Sequence, residues 1–252
     1  MSPANQERAL AILSPLAALG VWQLFSNMGW IDQRYVPSPV SIAQAGWDLA
    51  LSGQLARDIG ASLRRLVVGY IVGAVPGIAI GMVMGLNRWV RAAIDPLVSA
   101  LYPIPKIAIL PLLMLAFGLG DGSKVAVVAM SVLFLTIINT TTGVVQLDRI
   151  YFDVARNYGT PWYKLFLRVI LPGALPTIFT GLRISLGVSL VVLVSAEFVA
   201  SDAGIGALIW ASWQTLVVEN MFVGIIVVTV LGVLSTLFLH ECERLLVPWR
   251  RD

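Results

Sequence analysis

Six stretches of roughly twenty mostly apolar residues, at 9–28, 66–86, 97–119, 125–147, 174–199 and 221–246, constrain this chain more than any other feature. A hydrocarbon core about 30 Å thick takes about 20 helical residues to cross, and within it each backbone N–H and C=O must be satisfied inside the segment. Six membrane helices are the expected outcome. The chain is 58% hydrophobic and only 12% charged, and soluble domains hold about a quarter charged residues. One cysteine, Cys242, and one histidine, His240, exclude a disulfide framework and any metal or haem site built on a Cys/His cluster. Trp22 and Phe25 continue the first apolar run with no A-x-A-like site behind it, so it reads as a retained helix and not a cleaved leader.

Orientation follows from the basic residues. With the N-terminus inside, ten of the 17 Lys and Arg fall in inner segments, among them Arg8, Arg88, Arg91, Arg149, Arg250 and Arg251; three, Arg34, Arg57 and Lys124, fall outside. Such a bias places both termini, and the 148–172 connection, in the cytoplasm. The net charge of +3 is therefore a matter of membrane orientation, and no nucleic-acid partner is expected.

The second run contains Gly69, Gly73, Gly77, Gly81 and Gly85, each four residues after the last. Glycines so spaced strip one ridge of a helix bare and let a neighbour approach closely, which is how helices associate in lipid. This helix is expected at the centre of the bundle, with Pro76 either kinking it or freeing a carbonyl that a neighbour must satisfy. Before it, Pro37 and Pro39 mark a loop, and Trp47, Leu51 and Leu55 at helical spacing predict an interfacial helix.

Between the fourth and fifth runs stands a polar, punctuated segment, "DVARNYGTPWYKLFLRVILPGALP", at 153–176. Asp148 suits the N-cap of a helix reaching about Tyr158, and Gly159 the left-handed residue that ends one. Thr160 and Pro161 read as the N-cap and first residue of a second helix to about Leu171, with Pro172 and Pro176 marking entry to the next span. Trp162, Phe166 and Val169 share a face that can dock on the bundle, and Lys164 and Arg168 form a basic row. Ala155, flanked by Asp153, Arg156 and Asn157, offers a small surface with polar hooks, a shape for another protein's cleft. A solvated connector and a lipid-binding interfacial helix are the competing readings.

The same segment resembles the cytoplasmic EAA loop of the permease subunits of ATP-binding-cassette importers. Asp153 and Val154 stand where that family usually has Glu and Ala, while Ala155 and Gly159 match. "SLRRLVVGY", "YPIPKIAILPLLMLAFGLGDGSK", "LPGALPTIFTGLRISLG" and "SAEFVASDAGIGALI" resemble, in order, the permeases of the nitrate, sulfonate and taurine branch, from about Val36 to the C-terminus. The resemblance implies an all-α, polytopic type I importer permease in a bacterial-type inner membrane, one transmembrane domain over 1–252 with a first helix at 9–28, a core at 58–246 and a coupling loop at 148–172. It implies a pore of two permease chains, here a homodimer or a pair of related chains, with two ATPase subunits beneath and an extracytoplasmic binding protein delivering a small anion. Asp153, Val154, Ala155, Arg156, Asn157 and Gly159 are then the coupling residues. ATP and Mg belong to the ATPase; this chain has no G-x-x-x-x-G-K-[ST] loop and is not expected to be an enzyme or to bind a cofactor or metal.

Ionisable residues inside spans are costly and default to functional hypotheses. Lys106 either faces the pathway and attracts an anion or snorkels to headgroups. Glu197 forms a structural pair with a loop residue or part of an outer gate, and Arg183 anchors the inner interface. Ser185 and Ser189 are possible pathway residues, although such hydroxyls also join helices. The outer segment holding Ile209, Trp213 and Leu216 reads as a gate helix or a docking surface. An ion-coupled secondary transporter is the alternative function; it is disfavoured by the lack of an inverted repeat and of carboxylates for a proton relay.

Overall fold

Lipid offers the backbone no hydrogen bonds, so a chain this apolar must bond to itself locally. The computed structural model, which describes residues 3–199 and 201–249, with side chains from residue 13, shows helices as its regular structure. They are α1 (Pro3–Asn27), α2 (Pro39–Leu51), α3 (Gln54–Leu86), α4 (Arg88–Leu101), α5 (Lys106–Phe117), α6 (Asp121–Val145), α7 (Arg149–Asn157), α8 (Trp162–Leu165), α9 (Leu171–Val199), α10 (Ile205–Gln214) and α11 (Val218–Leu246).

Four helical runs among the described residues are long and apolar enough to cross a membrane: α3, α6, the continuous stretch Trp162–Val199, and α11. The expected third span, 97–119, is not one helix. It is divided between α4 and α5, which qualify only together and meet at 97°. Pro103 and Pro105 lie at the break; neither has an N–H for a helix, and each pushes the preceding residue out of helical conformation. Among the described residues, length and composition therefore give four spans, or five with the bent pair. The first expected span is α1, a 25-residue helix. Arg250 and Arg251, counted toward the inside total, lie outside the described residues.

The glycine ridge of α3 meets α6. A β-carbon at Gly69 would lie 2.7 Å from Val128 Cγ1, one at Gly77 2.9 Å from Thr136 Cβ, one at Gly81 2.6 Å from Thr140 Cβ, and one at Gly85 2.5 Å from Val144 Cβ. Gly73 faces Ala129 and Val132. The opposing row, Val128, Val132, Thr136, Thr140 and Val144, has the same four-residue period, so a bare groove receives a β-branched ridge along its length. The other side of α6 lies on α9, with Gly143 against Thr177 and Gly181 against Asn139. The centre is thus α6 and not α3: 56% of its apolar window is buried, against 39% for α3 and 11% for α11. Being flanked by two close-fitting helices is the reason. Through Pro76, α3 continues as one helix.

Two apolar clusters tie these three helices together. Leu66, Val128, Val132, Leu186 and Leu193 form one, and Met82, Val144, Ile170, Ala174 and Ile178 the other. A third, separate cluster joins Ile42 and Leu49 of α2 to Leu208 of α10 and Val223 of α11. In α2, Ser38 caps the helix by accepting from Ser41 N, with Pro39 next. Trp47 and Leu51 are exposed, as an interfacial helix requires, Leu55 falls in α3, and Gly46 lies against Val223 of α11.

The second helix after Gly159 also departs from expectation. Pro161, not Thr160, occupies the cap of α8. The chain then passes through a π-turn at Phe166–Ile170 straight into α9, without a break at Pro172 or Pro176. Pro172 cannot supply the usual backbone donor, and the wider turn, in which Leu171 N bonds Phe166 O, absorbs the mismatch.

Candidate functional site

At one end of α6 the chain turns into α7. Asp148 caps this helix, its Oδ1 accepting from Ile150 N at 3.0 Å. At the far end Thr160 N donates to Ala155 O at 2.9 Å and Gly159 N to Arg156 O at 3.0 Å. That pair of bonds is a Schellman closure, and it holds Gly159 at a φ of +62°. A β-carbon there would meet nothing within 4 Å, so the glycine is required by backbone conformation and not by space.

Phe152 packs into the Met82–Ile170–Ile178 cluster, and this fastens α7 to the bundle. The opposite face is unusual. Ile150, Tyr151, Val154 and Tyr158, a stripe at helical spacing, are all exposed, Tyr158 to 85%. A helix normally turns such a stripe to a core; here it borders a cavity of about 620 Å³ whose lining includes Ala155, Lys164 and Arg168. Asp153, Arg156 and Asn157 are exposed beside it. Ala155, expected to form part of a surface for another protein, is buried, and Val154 and Tyr158 are the exposed residues there. Trp162, expected to dock on the bundle, is likewise exposed, because the π-turn makes α8 the start of α9 and not a separate surface helix.

The four residues expected along a pathway are not brought together. Lys106 Nζ donates to the carbonyls of Leu101, Tyr102 and Ile104, each at 2.9 Å, and lies 4.7 Å from the centre of the Phe134 ring. It caps the broken end of α4, where carbonyls have lost their helical partners. Ser185 and Ser189 are fully buried, and each hydroxyl donates to its own helix, at Leu182 O and Leu186 O. Arg183 pairs with Glu243 of α11.

Glu197 sits in a buried polar cluster at the end of α6 remote from α7. Arg65 donates from Nε to Asp121 at 2.6 Å and from Nη1 to Glu197 at 2.7 Å and to Ala203 O at 2.7 Å. Glu197, with its side chain fully buried, also accepts from Ser62 Oγ at 2.8 Å and Gly206 N at 2.9 Å. Ser62 Oγ in turn accepts from Ile205 N at 2.8 Å, and Asp58 from Gly204 N at 2.9 Å. A buried carboxylate is tolerable only with such partners. Sequence reasoning singled out Glu197 but missed Asp58, Ser62, Arg65 and Asp121. Their signal was an arginine and an aspartate in segments otherwise turning apolar.

Comparison with known proteins supports one reading of this architecture. Residues 77–250 match the family described as "Binding-protein-dependent transport system inner membrane component". The chain is 36% identical over 235 residues to the putative aliphatic sulfonates transport permease protein SsuC of Escherichia coli, covering 93% of this chain and 89% of that one. It is 30% identical over 255 residues to the taurine transport system permease protein TauC of the same organism, covering 99% and 93%. To the nitrate import permease protein NrtB of a Synechocystis strain it is 32% identical over 249 residues, covering 95% and 88%. A polytopic helical bundle with these relatives has one assignment: the chain belongs to the binding-protein-dependent inner-membrane permeases of ATP-binding-cassette importers, in the branch of sulfonate, taurine and nitrate permeases.

Proposed function

We propose that this chain forms the membrane pathway of an importer for a small oxyanion, a sulfonate or nitrate in kind, driven by a separate ATPase that grips α7. The observation that carries the reading is the apolar stripe Ile150, Tyr151, Val154 and Tyr158, exposed on a helix bounded by a capping aspartate and a left-handed glycine. Apolar side chains on a polar connection have no reason to face water unless a partner covers them. Asp153, Arg156 and Asn157 supply the polar rim of that contact, and Gly159 its fixed exit.

In this reading α7 lies in the cytoplasm with both termini, as the distribution of Lys and Arg favours. Two copies of the chain enclose the pathway, and an extracytoplasmic binding protein meets the opposite end. The substrate class is supported by the named cargo of the relatives. Lys106 serves as a helix cap, and the binding protein does the selecting.

Affinity capture of the tagged chain from its native membranes tests the proposal. An ATPase with a phosphate-binding loop, together with an extracytoplasmic binding protein, is the expected company. An intact, well-solubilised sample that brings down neither overturns it.

A further inference from the structure

Two contacts fix the register of α9 against α11: a β-carbon at Gly232 would lie 3.5 Å from Leu190, and Arg183 pairs with Glu243. The two helices are therefore antiparallel. Counted from their ends remote from α7, at Val199 and Val218, the roughly 20 residues that cross hydrocarbon run out beside Thr180 on α9 and beside His240 on α11. Those two residues line one cavity of about 480 Å³, together with Arg183, Glu243 and Arg244. Both helices thus put the cavity at a single level, that of the lipid headgroups on the α7 side of the membrane.

The surroundings on α11 are those of a helix that faces lipid. Leu237, Phe238, Leu245 and Leu246 are all exposed, on a helix whose apolar window is only 11% buried. In this setting the cavity is cationic, with two arginines in its lining against one carboxylate. Arg183 is half exposed and donates to Glu243; a guanidinium has five N–H donors, and the others on Arg183 have no partner among the described residues. Arg244 reaches Glu241 only at 3.5 Å, with both side chains open to solvent, a pairing that contributes little. His240, exposed on the same rim, adds a ring nitrogen that donates even when the imidazole is neutral.

We propose that this cavity is a binding site for the headgroup of an anionic phospholipid, whose phosphate oxygens accept from Arg183 and Arg244 while its acyl chains lie along the exposed apolar face of α11. Basic recesses between helices at headgroup depth are the general form of such sites. Arginine suits the role, because its planar fork can hold two phosphate oxygens at once. A soluble anion would satisfy the same donors but leave the apolar residues beside them uncovered, whereas a lipid meets both. Only the crossing of the membrane by α9 and α11 is required, and not the partner assigned to α7.

Native mass spectrometry of the full-length tagged chain, delipidated in mild detergent and titrated with dioleoylphosphatidylglycerol, reads the site. One equivalent should bind at least about fivefold tighter than dioleoylphosphatidylcholine, the effect of about one net charge at headgroup depth. Arg183→Gln should weaken phosphatidylglycerol binding by about tenfold, as expected for losing a hydrogen bond to a charged group, and Arg244→Gln by about fivefold. Lys164→Gln, at an exposed basic residue of α8 outside the cavity, should change nothing. If Arg183→Gln fails to fold because Glu243 has lost a partner, Arg244→Gln, which keeps the Arg183–Glu243 pair, carries the test with the comparison of the two lipids.

Equal affinity for the two lipids, or unchanged phosphatidylglycerol binding in either folded arginine variant, overturns the inference. So does a loss in Lys164→Gln equal to that in Arg244→Gln, which would mean diffuse attraction to basic charge. Displacement of the bound lipid by inorganic phosphate or by ethanesulfonate would assign the cavity to a soluble anion and overturns it as well.

Discussion

Gly81→Ala probes the contact that sets the architecture. The new β-carbon would lie 2.6 Å from Thr140 Cβ and 2.8 Å from the carbonyl oxygen of Ile137, about 1 Å inside ordinary contact at roughly 3.5–4.0 Å. Both neighbours are fixed by the α6 backbone, so no rotamer change relieves the clash and α3 must move off α6. Overpacking of this kind costs about 1–3 kcal/mol, against about 0.5–1 kcal/mol that alanine returns over glycine within a helix. The net expectation is a loss of about 1–2 kcal/mol. Gly60→Ala is the matched control: it lies in the same helix, nothing stands within 4 Å of its β-carbon, and it should gain about 0.4–1 kcal/mol. At about 2–4 °C per kcal/mol for a chain of this size, the two variants should melt several degrees apart. Cys242, half-buried and the only cysteine, gives the assay, reacting with a thiol-reactive dye as purified protein unfolds in mild detergent. If Gly81→Ala melts with or above Gly60→Ala, α6 does not occupy the glycine groove and the reasoning fails.

Other expectations concern the two ends of α6. Tyr158→Ala should leave the stability within about 0.5 kcal/mol of the parent, as an exposed site, while weakening ATPase retention by about 2 kcal/mol if Tyr158 is an interface anchor; co-purification yield against melting point separates the two. Gly159→Ala puts a side chain in the left-handed region at a cost of about 1–2 kcal/mol and should cut stimulated ATP hydrolysis without loosening the bundle; unchanged stimulation would count against the α7 exit. Asp148→Ala removes the α7 cap and should cost about 1 kcal/mol, seen as faster proteolysis in the 148–160 segment. Lys106→Met should destabilise the fold by about 1–3 kcal/mol through uncapped carbonyls and leave the half-saturating anion concentration alone; the reverse outcome would return Lys106 to the pathway.

Much of this was legible in the sequence where the chemistry is local. Asp148 and Gly159 announce the ends of α7 because capping depends on a few adjacent residues. The glycine period announced a close helix contact, but not with which helix; Val128, Val132, Thr136, Thr140 and Val144 share the period, and reading both rows together would have paired α3 with α6. Hidden features were those set by distant residues. Ala155 reads from sequence as part of a partner-facing surface, yet exposure depends on where Phe152 anchors the helix. Trp162 was assigned to the bundle on the assumption that Pro172 stops a helix, which the π-turn avoids. Taking 97–119 as a single span passes over Pro103 and Pro105, which break it. The Arg65–Glu197 pair spans 132 positions, and helical spacing cannot relate residues so far apart.

The proposed hold of another protein on α7 can be tested in the membrane itself. A photo-crosslinking amino acid at position 158, in the tagged chain within native membranes, measures this most directly, with position 237 on α11, also exposed, as the control. A cross-link from position 158 to an ATPase bearing a phosphate-binding loop, absent from position 237, is the predicted result. Position 158 joined to no protein, or only to lipid, in membranes that still transport would contradict the claim.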